Sequence, residues 1–161
     1  MNTVLFLSKH LSKLMDIIGG TVLALMMLLT VVDVVMRYLG VPFMGTYELV
    51  AMAGAVVIGF GFPQTTLDNG NVKVDFLIEV APIPVKKFFL IFTKILGIAF
   101  FAALGYGLIA KAIELQSVNE ASLTLRMPLA PLAYALGACS FVESLALFCV
   151  LMQELYPRRQ Q

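Results

Sequence analysis

The chain has 161 residues, of which 60% are hydrophobic and 13% charged, with a formal net charge of +1 and a mean hydropathy of +0.94. Ordinary soluble domains are roughly 45–50% apolar and about 25% charged, and a chain this short has too little interior to hide the excess. These values exclude a soluble globular protein and give no basis for a nucleic-acid partner; they leave an integral membrane protein of the all-α class, read as one transmembrane domain over 1–161.

The N-terminal stretch MNTVLFLSKHLSKLMD carries Lys9, His10 and Lys13 among Leu5, Leu7, Leu11 and Leu14. A secretory signal would place its basic residues first and follow them with a continuous apolar run. The pattern therefore predicts an amphipathic helix on the membrane surface, with a mobile lead-in to the first span as the alternative.

Residues 17–36 form the first span, about the twenty residues that a hydrocarbon core of ~30 Å requires. Asp33 lies inside it, and Arg37 follows four residues later, on the same helix face. Either the pair snorkels to the interface as a local ion pair, or Asp33, Arg37 and Glu48 together tie the first two helices at their hairpin. Residues 38–46 make that connection, with Gly40, Pro42 and Gly45 as turn formers. The second span is 47–66, where Ala51, Ala55 and Gly59 recur every four residues as a small-residue packing strip. Pro63 is expected to kink or end this helix.

Asp68-Asn69-Gly70-Asn71 is a turn signal. Beyond it, 72–80 contains Lys73, Asp75 and Glu79, too charged and too short to span. Periodicity fits a strand or a helix; because unpaired backbone is costly at a membrane, a short interfacial helix is the expectation. Lys86 and Lys87 introduce the third span, 88–109, with Lys94 two turns inside and Ala99, Ala103 and Gly107 as a second small strip. A polar segment from 110 to 127 follows, and the fourth span is 129–152, with Glu143 near its middle. A mid-span acid points to a function or to a hydrogen bond with a neighbouring subunit. The expected architecture is thus four transmembrane helices, an N-terminal amphipathic helix and an interfacial helix between spans 2 and 3.

Cys139 and Cys149 are ten residues apart in one helix, about 15 Å at ~1.5 Å per residue, beyond disulfide reach. They read as apolar fillers. His10 is the sole histidine, so the pairs that a membrane haem or metal would need are missing and no cofactor is expected. No nucleophile and base fall at matching depth on facing helices, which argues against an enzyme.

With four spans, one side of the membrane carries Lys9, Lys13, Lys73, Lys86, Lys87, Arg158 and Arg159, and the other Arg37, Lys111 and Arg126. The positive-inside rule places both termini in the cytoplasm.

Several short motifs stand in a recognisable order. Arg37-Tyr38-Leu39-Gly40, Glu48-Leu49, Gly59, the run from Asn71 to Glu79, and Ser122-Leu123-Thr124-Leu125 with Pro128 and Tyr134 together resemble the small membrane subunit of tripartite ATP-independent periplasmic (TRAP) transporters. The resemblance implies a scaffold subunit of a sodium-coupled secondary transporter in a bacterial inner membrane. Organic acids such as dicarboxylates or sialic acids would be delivered by a periplasmic substrate-binding protein. A large multi-span permease subunit would carry the substrate and sodium sites, with membrane lipids as the remaining partner. In that setting Asp33, Arg37, Glu48, Lys73, Asp75, Glu79 and Glu143 are candidates for structural or partner-interface roles. Lys111, Glu114, Glu120, Ser122, Thr124 and Arg126 are candidates for docking the binding protein. The competing readings are an anchor for a peripheral complex and a small self-assembling channel built on Glu143.

Overall fold

The computed structural model describes residues 2–68, 70 and 83–155. Among them are four helices: α1 (Asn2–Tyr38), α2 (Thr46–Leu67), α3 (Ile83–Ser117) and α4 (Ala130–Leu155). All four are long and apolar enough to cross a membrane. The expected spans 17–36, 47–66 and 88–109 fall inside the first three, and the fourth, 129–152, begins one residue before α4. The interfacial helix over 72–80, with Lys73, Asp75 and Glu79, lies outside the described residues.

The N-terminal stretch is not a separate element. α1 runs 37 residues without a break, about 55 Å at ~1.5 Å per residue. Over residues 8–19 its faces are also the reverse of those of a surface helix. Ser8, Ser12 and Met15 are buried, and Gly19 falls on the same face, whereas Leu11 and Leu14 are 43% and 57% exposed. Lipid is as apolar as leucine, so the small polar residues turn toward protein, where backbones approach closely.

α1 packs on α2, α2 on α4, and α4 on α3, with a lighter contact between α1 and α4. At the α1–α2 crossing a Cβ on Gly19 would stand 3.4 Å from Phe60 Cβ. At the α3–α4 crossing Gly105 and Gly137 face each other, and a Cβ on Gly105 would lie 3.2 Å from the Gly137 carbonyl oxygen. The expected strip of Ala99, Ala103 and Gly107 is exposed instead, and a Cβ on Gly107 would meet nothing within 4 Å. Of the α2 strip, Gly59 is the position pressed against a neighbour, Leu136 of α4.

Pro63 does not end its helix. α2 continues one turn further, to Leu67, with the proline ring fully buried. This close to the C-terminus the missing amide removes one hydrogen bond and little more.

The turns close with backbone bonds that glycine and asparagine permit. Gly40, at φ 83°, ends α1 with bonds from Val41 N–H to the Met36 carbonyl (3.0 Å) and from Gly40 N–H to the Arg37 carbonyl (3.2 Å). That is a Schellman termination. α3 ends the same way at Asn119, φ 49°, with Glu120 N–H on the Leu115 carbonyl at 3.0 Å.

Candidate functional site

Two polar assemblies sit at the end of the bundle where α1 passes into α2 and α3 into α4. The first is built on the last turns of α1. Arg37 Nη2 donates to Asp33 Oδ2 at 2.6 Å, and Arg37 Nη1 donates to the Tyr47 hydroxyl at 3.3 Å. The guanidinium carbon lies 5.6 Å from the Tyr47 ring centre, within cation–π range. Asp33 is 6% exposed, with Thr46 and the Phe43 backbone beside it. Arg37 thus joins the end of α1 to the start of α2 through Tyr47.

Glu48 belongs to a different assembly from Arg37. Its carboxylate accepts the Thr124 N–H at 2.8 Å on one oxygen and the Leu125 N–H at 3.0 Å on the other, and the Ser122 hydroxyl lies beside it. A carboxylate taking two amide donors is a strong, directional clamp. The clamped loop is itself closed. Ser122 N–H bonds the Met127 carbonyl (2.9 Å), Arg126 N–H the Ser122 carbonyl (3.1 Å), and Met127 N–H the Ser122 hydroxyl (3.2 Å). Arg126 holds φ 52° to allow this.

Gly45 makes the clamp geometrically feasible. It caps α2 at φ 90°, and a Cβ there would fall 2.6 Å from Leu125 Cγ. Leu123, two residues before Leu125, projects outward and is 97% exposed.

The remaining docking candidates lie around this loop without converging on one point. Lys111 and Glu114 pair with each other on α3 at 2.9 Å, both exposed. Glu120, Thr124 and Arg126 are exposed and Ser122 is half-buried. An open pocket of about 570 Å³ between the end of α3 and the start of α4 is lined by Gln116, Glu120, Pro131 and Tyr134, with the Tyr134 hydroxyl donating to Gln116 Oε1 at 3.0 Å.

Glu143 stands apart, deep in the bundle. It is 2% exposed, and the Thr66 hydroxyl of α2 donates to its Oε1 at 2.6 Å. Nothing in the pattern of either helix singles out Thr66, because the two residues are 77 apart in sequence. Tyr47 and the Gly105–Gly137 crossing escaped sequence reasoning because each meets its partner on a different helix, which no single helix's pattern records. Among the described residues no group of three or more His, Cys, Asp or Glu side chains is placed to hold a metal ion.

The arrangement therefore contains clamps and ties between helices, with its charges concentrated at helix ends. No curated protein and no solved structure matches the chain. A family model described as tripartite ATP-independent periplasmic transporters, DctQ component, matches residues 26–156. The match takes in both assemblies, Glu143, the last third of α1 and the whole of α2, α3 and α4, and it establishes that the chain belongs to the DctQ family: it is the small membrane subunit of a TRAP transporter, a transport component and not an enzyme.

Proposed function

We propose that this subunit is a fixed scaffold of a sodium-coupled importer of organic acids, such as dicarboxylates or sialic acids. It holds no substrate or ion site of its own. The observation that carries the reading is helix continuity: each of the four helices runs unbroken through its apolar stretch. Substrate pathways in secondary transporters need interrupted helices or convergent polar groups at the midplane. Here the mid-span acid Glu143 is engaged by Thr66 in a tie between α2 and α4.

In this reading a large multi-span permease subunit binds the bundle and carries the moving, solute-binding parts. Asp33, Arg37 and Glu48 keep the hairpin and the Ser122–Met127 loop in one shape, and Lys73, Asp75 and Glu79 act at the opposite surface. A periplasmic substrate-binding protein docks transiently on the face bearing Lys111, Glu114, Glu120, Ser122, Thr124 and Arg126. The membrane is the bacterial inner membrane and both termini are cytoplasmic, which the distribution of Lys and Arg supports.

The test is an affinity pull-down of the tagged subunit from gently solubilised native membranes, followed by uptake assays with the co-purified partner and its binding protein. Recovery of a larger, many-span protein in fixed stoichiometry and sodium-dependent uptake are expected. Recovery of the chain alone, conducting protons in liposomes, would instead support the self-assembling channel.

A further inference from the structure

α2 and α3 flank α4 and leave between them a groove of about 270 Å³ with almost wholly apolar walls. Ile58 and Leu104 form part of its rim and are 62% and 41% exposed, so it opens on the lateral surface of the bundle. At one end the rings of Phe62 and Phe101 meet at 5.9 Å between centroids, and Glu143 lines the groove beside them. Glu143 Oε1 is held by Thr66, but among the described residues its buried Oε2 has no hydrogen-bond partner. A carboxylate oxygen left unpaired inside the bundle is costly. Thr66 holds the carboxylate through Oε1 and leaves Oε2, on a residue that lines the groove, to accept a further bond.

We propose that this groove receives an aromatic side chain carrying a hydrogen-bond donor, a tyrosine or tryptophan, from a membrane helix of the large permease subunit, and that the donor satisfies Glu143. The proposal rests on the scaffold reading above. The size of the space decides the shape of the occupant: a helix is ~10–12 Å across and cannot enter, whereas a side chain from a helix lying over the rim can. The chemistry decides its kind. The walls, with Phe62 and Phe101 at one end, suit a ring, and the lone acceptor at that end suits the polar handle that tyrosine and tryptophan need to satisfy when buried. A lipid acyl chain would fill the volume but bring no donor. The sequence has no tryptophan, and among the described residues no tyrosine lines the groove, so none of them supplies such a knob.

The test uses the complete transporter in native membranes. A benzophenone amino acid at Leu104 is expected to cross-link, on illumination, to the large subunit. Ala55→Trp, which fills the groove, and Glu143→Leu, which removes the acceptor at similar volume, are each expected to lower recovery of the large subunit at least tenfold. Thr66→Val separates docking from folding, because it breaks the α2–α4 tie but keeps the acceptor. It should lower the melting temperature of the isolated subunit in detergent, as Glu143→Leu does, yet leave recovery of the large subunit undiminished, whereas a purely internal role predicts that both variants lose the large subunit alike. Cross-linking only to lipid or to a second copy of this chain, or undiminished recovery with Glu143→Leu, overturns the proposal. Failure of the wild-type subunit to recover any many-span partner is a different result, and it overturns the scaffold reading itself.

Discussion

Glu48 is the residue on which the loop of residues 122–127 depends, because its two oxygens account for two backbone donors that the loop cannot satisfy internally. Glu48→Ala is expected to leave the four helices intact and to release those amides. Hydrogen exchange at Thr124 and Leu125 should accelerate at least tenfold, with little change in the interior of α4; unchanged exchange would show that the clamp is dispensable. Gly45 is a separate residue-scale test of the same junction. An alanine there must occupy the left-handed region, at a cost of roughly 1–2 kcal/mol, and must also displace Leu125, since its Cβ would stand 2.6 Å from the Leu125 Cγ. Gly45→Ala should therefore lower thermal stability. The buried free thiols of Cys139 and Cys149 report unfolding with a maleimide dye, and a melting curve matching wild type would remove the steric argument. Glu48 was visible in the sequence as an acid opening a span. Its partners were not, because they are backbone amides 76 and 77 residues away.

At the scale of elements, the four spans were legible because a run of about twenty apolar residues between polar segments has one economical outcome in a bilayer. The faces of those helices were not legible. In water an apolar stripe marks the inside, but between lipid and protein the same stripe distinguishes nothing, and close packing selects small residues instead. Ser8 and Ser12 consequently turned inward while Leu11 and Leu14 turned out, and of two similar glycines in α3, Gly105 is at the crossing and Gly107 is not. A matched pair of substitutions measures the difference. Gly137→Leu would drive its side chain into Ile109, whose Cγ1 already lies 2.9 Å from a Cβ built at Gly137. Overpacking of this kind costs about 1–3 kcal/mol. Gly107→Leu meets open space and should stay within about 0.5 kcal/mol of wild type, as substitutions on free surfaces do. Equal melting temperatures for the two variants would mean that α3 and α4 do not cross where Gly105 and Gly137 meet.

For the whole molecule, orientation in the membrane decides which partner each assembly can meet. If both termini are cytoplasmic, the Arg37 hairpin and the Ser122–Met127 loop face the compartment of the binding protein, and the rigid tip at Leu123 is on offer to it. Cysteine accessibility settles the side. Leu123→Cys, at a position 97% exposed, is expected to react in intact cells with a maleimide that cannot cross the membrane holding the protein. Lys9→Cys, exposed near the other end of α1, should react only after that membrane is opened. The native thiols are buried and give little background. With the side fixed, charge reversal at Lys111, Glu114 and Glu120 has a clear meaning. These exposed side chains hold no helix in place, and an exposed pair such as Lys111–Glu114 contributes little to stability. Their reversal should leave the complex intact while reducing uptake several-fold at low ionic strength, with the deficit altered by salt as rim electrostatics require. Uptake indifferent to the reversal would place binding-protein docking on other surfaces, and labelling of Lys9→Cys in intact cells would turn the loop to the cytoplasm and remove it from that role altogether.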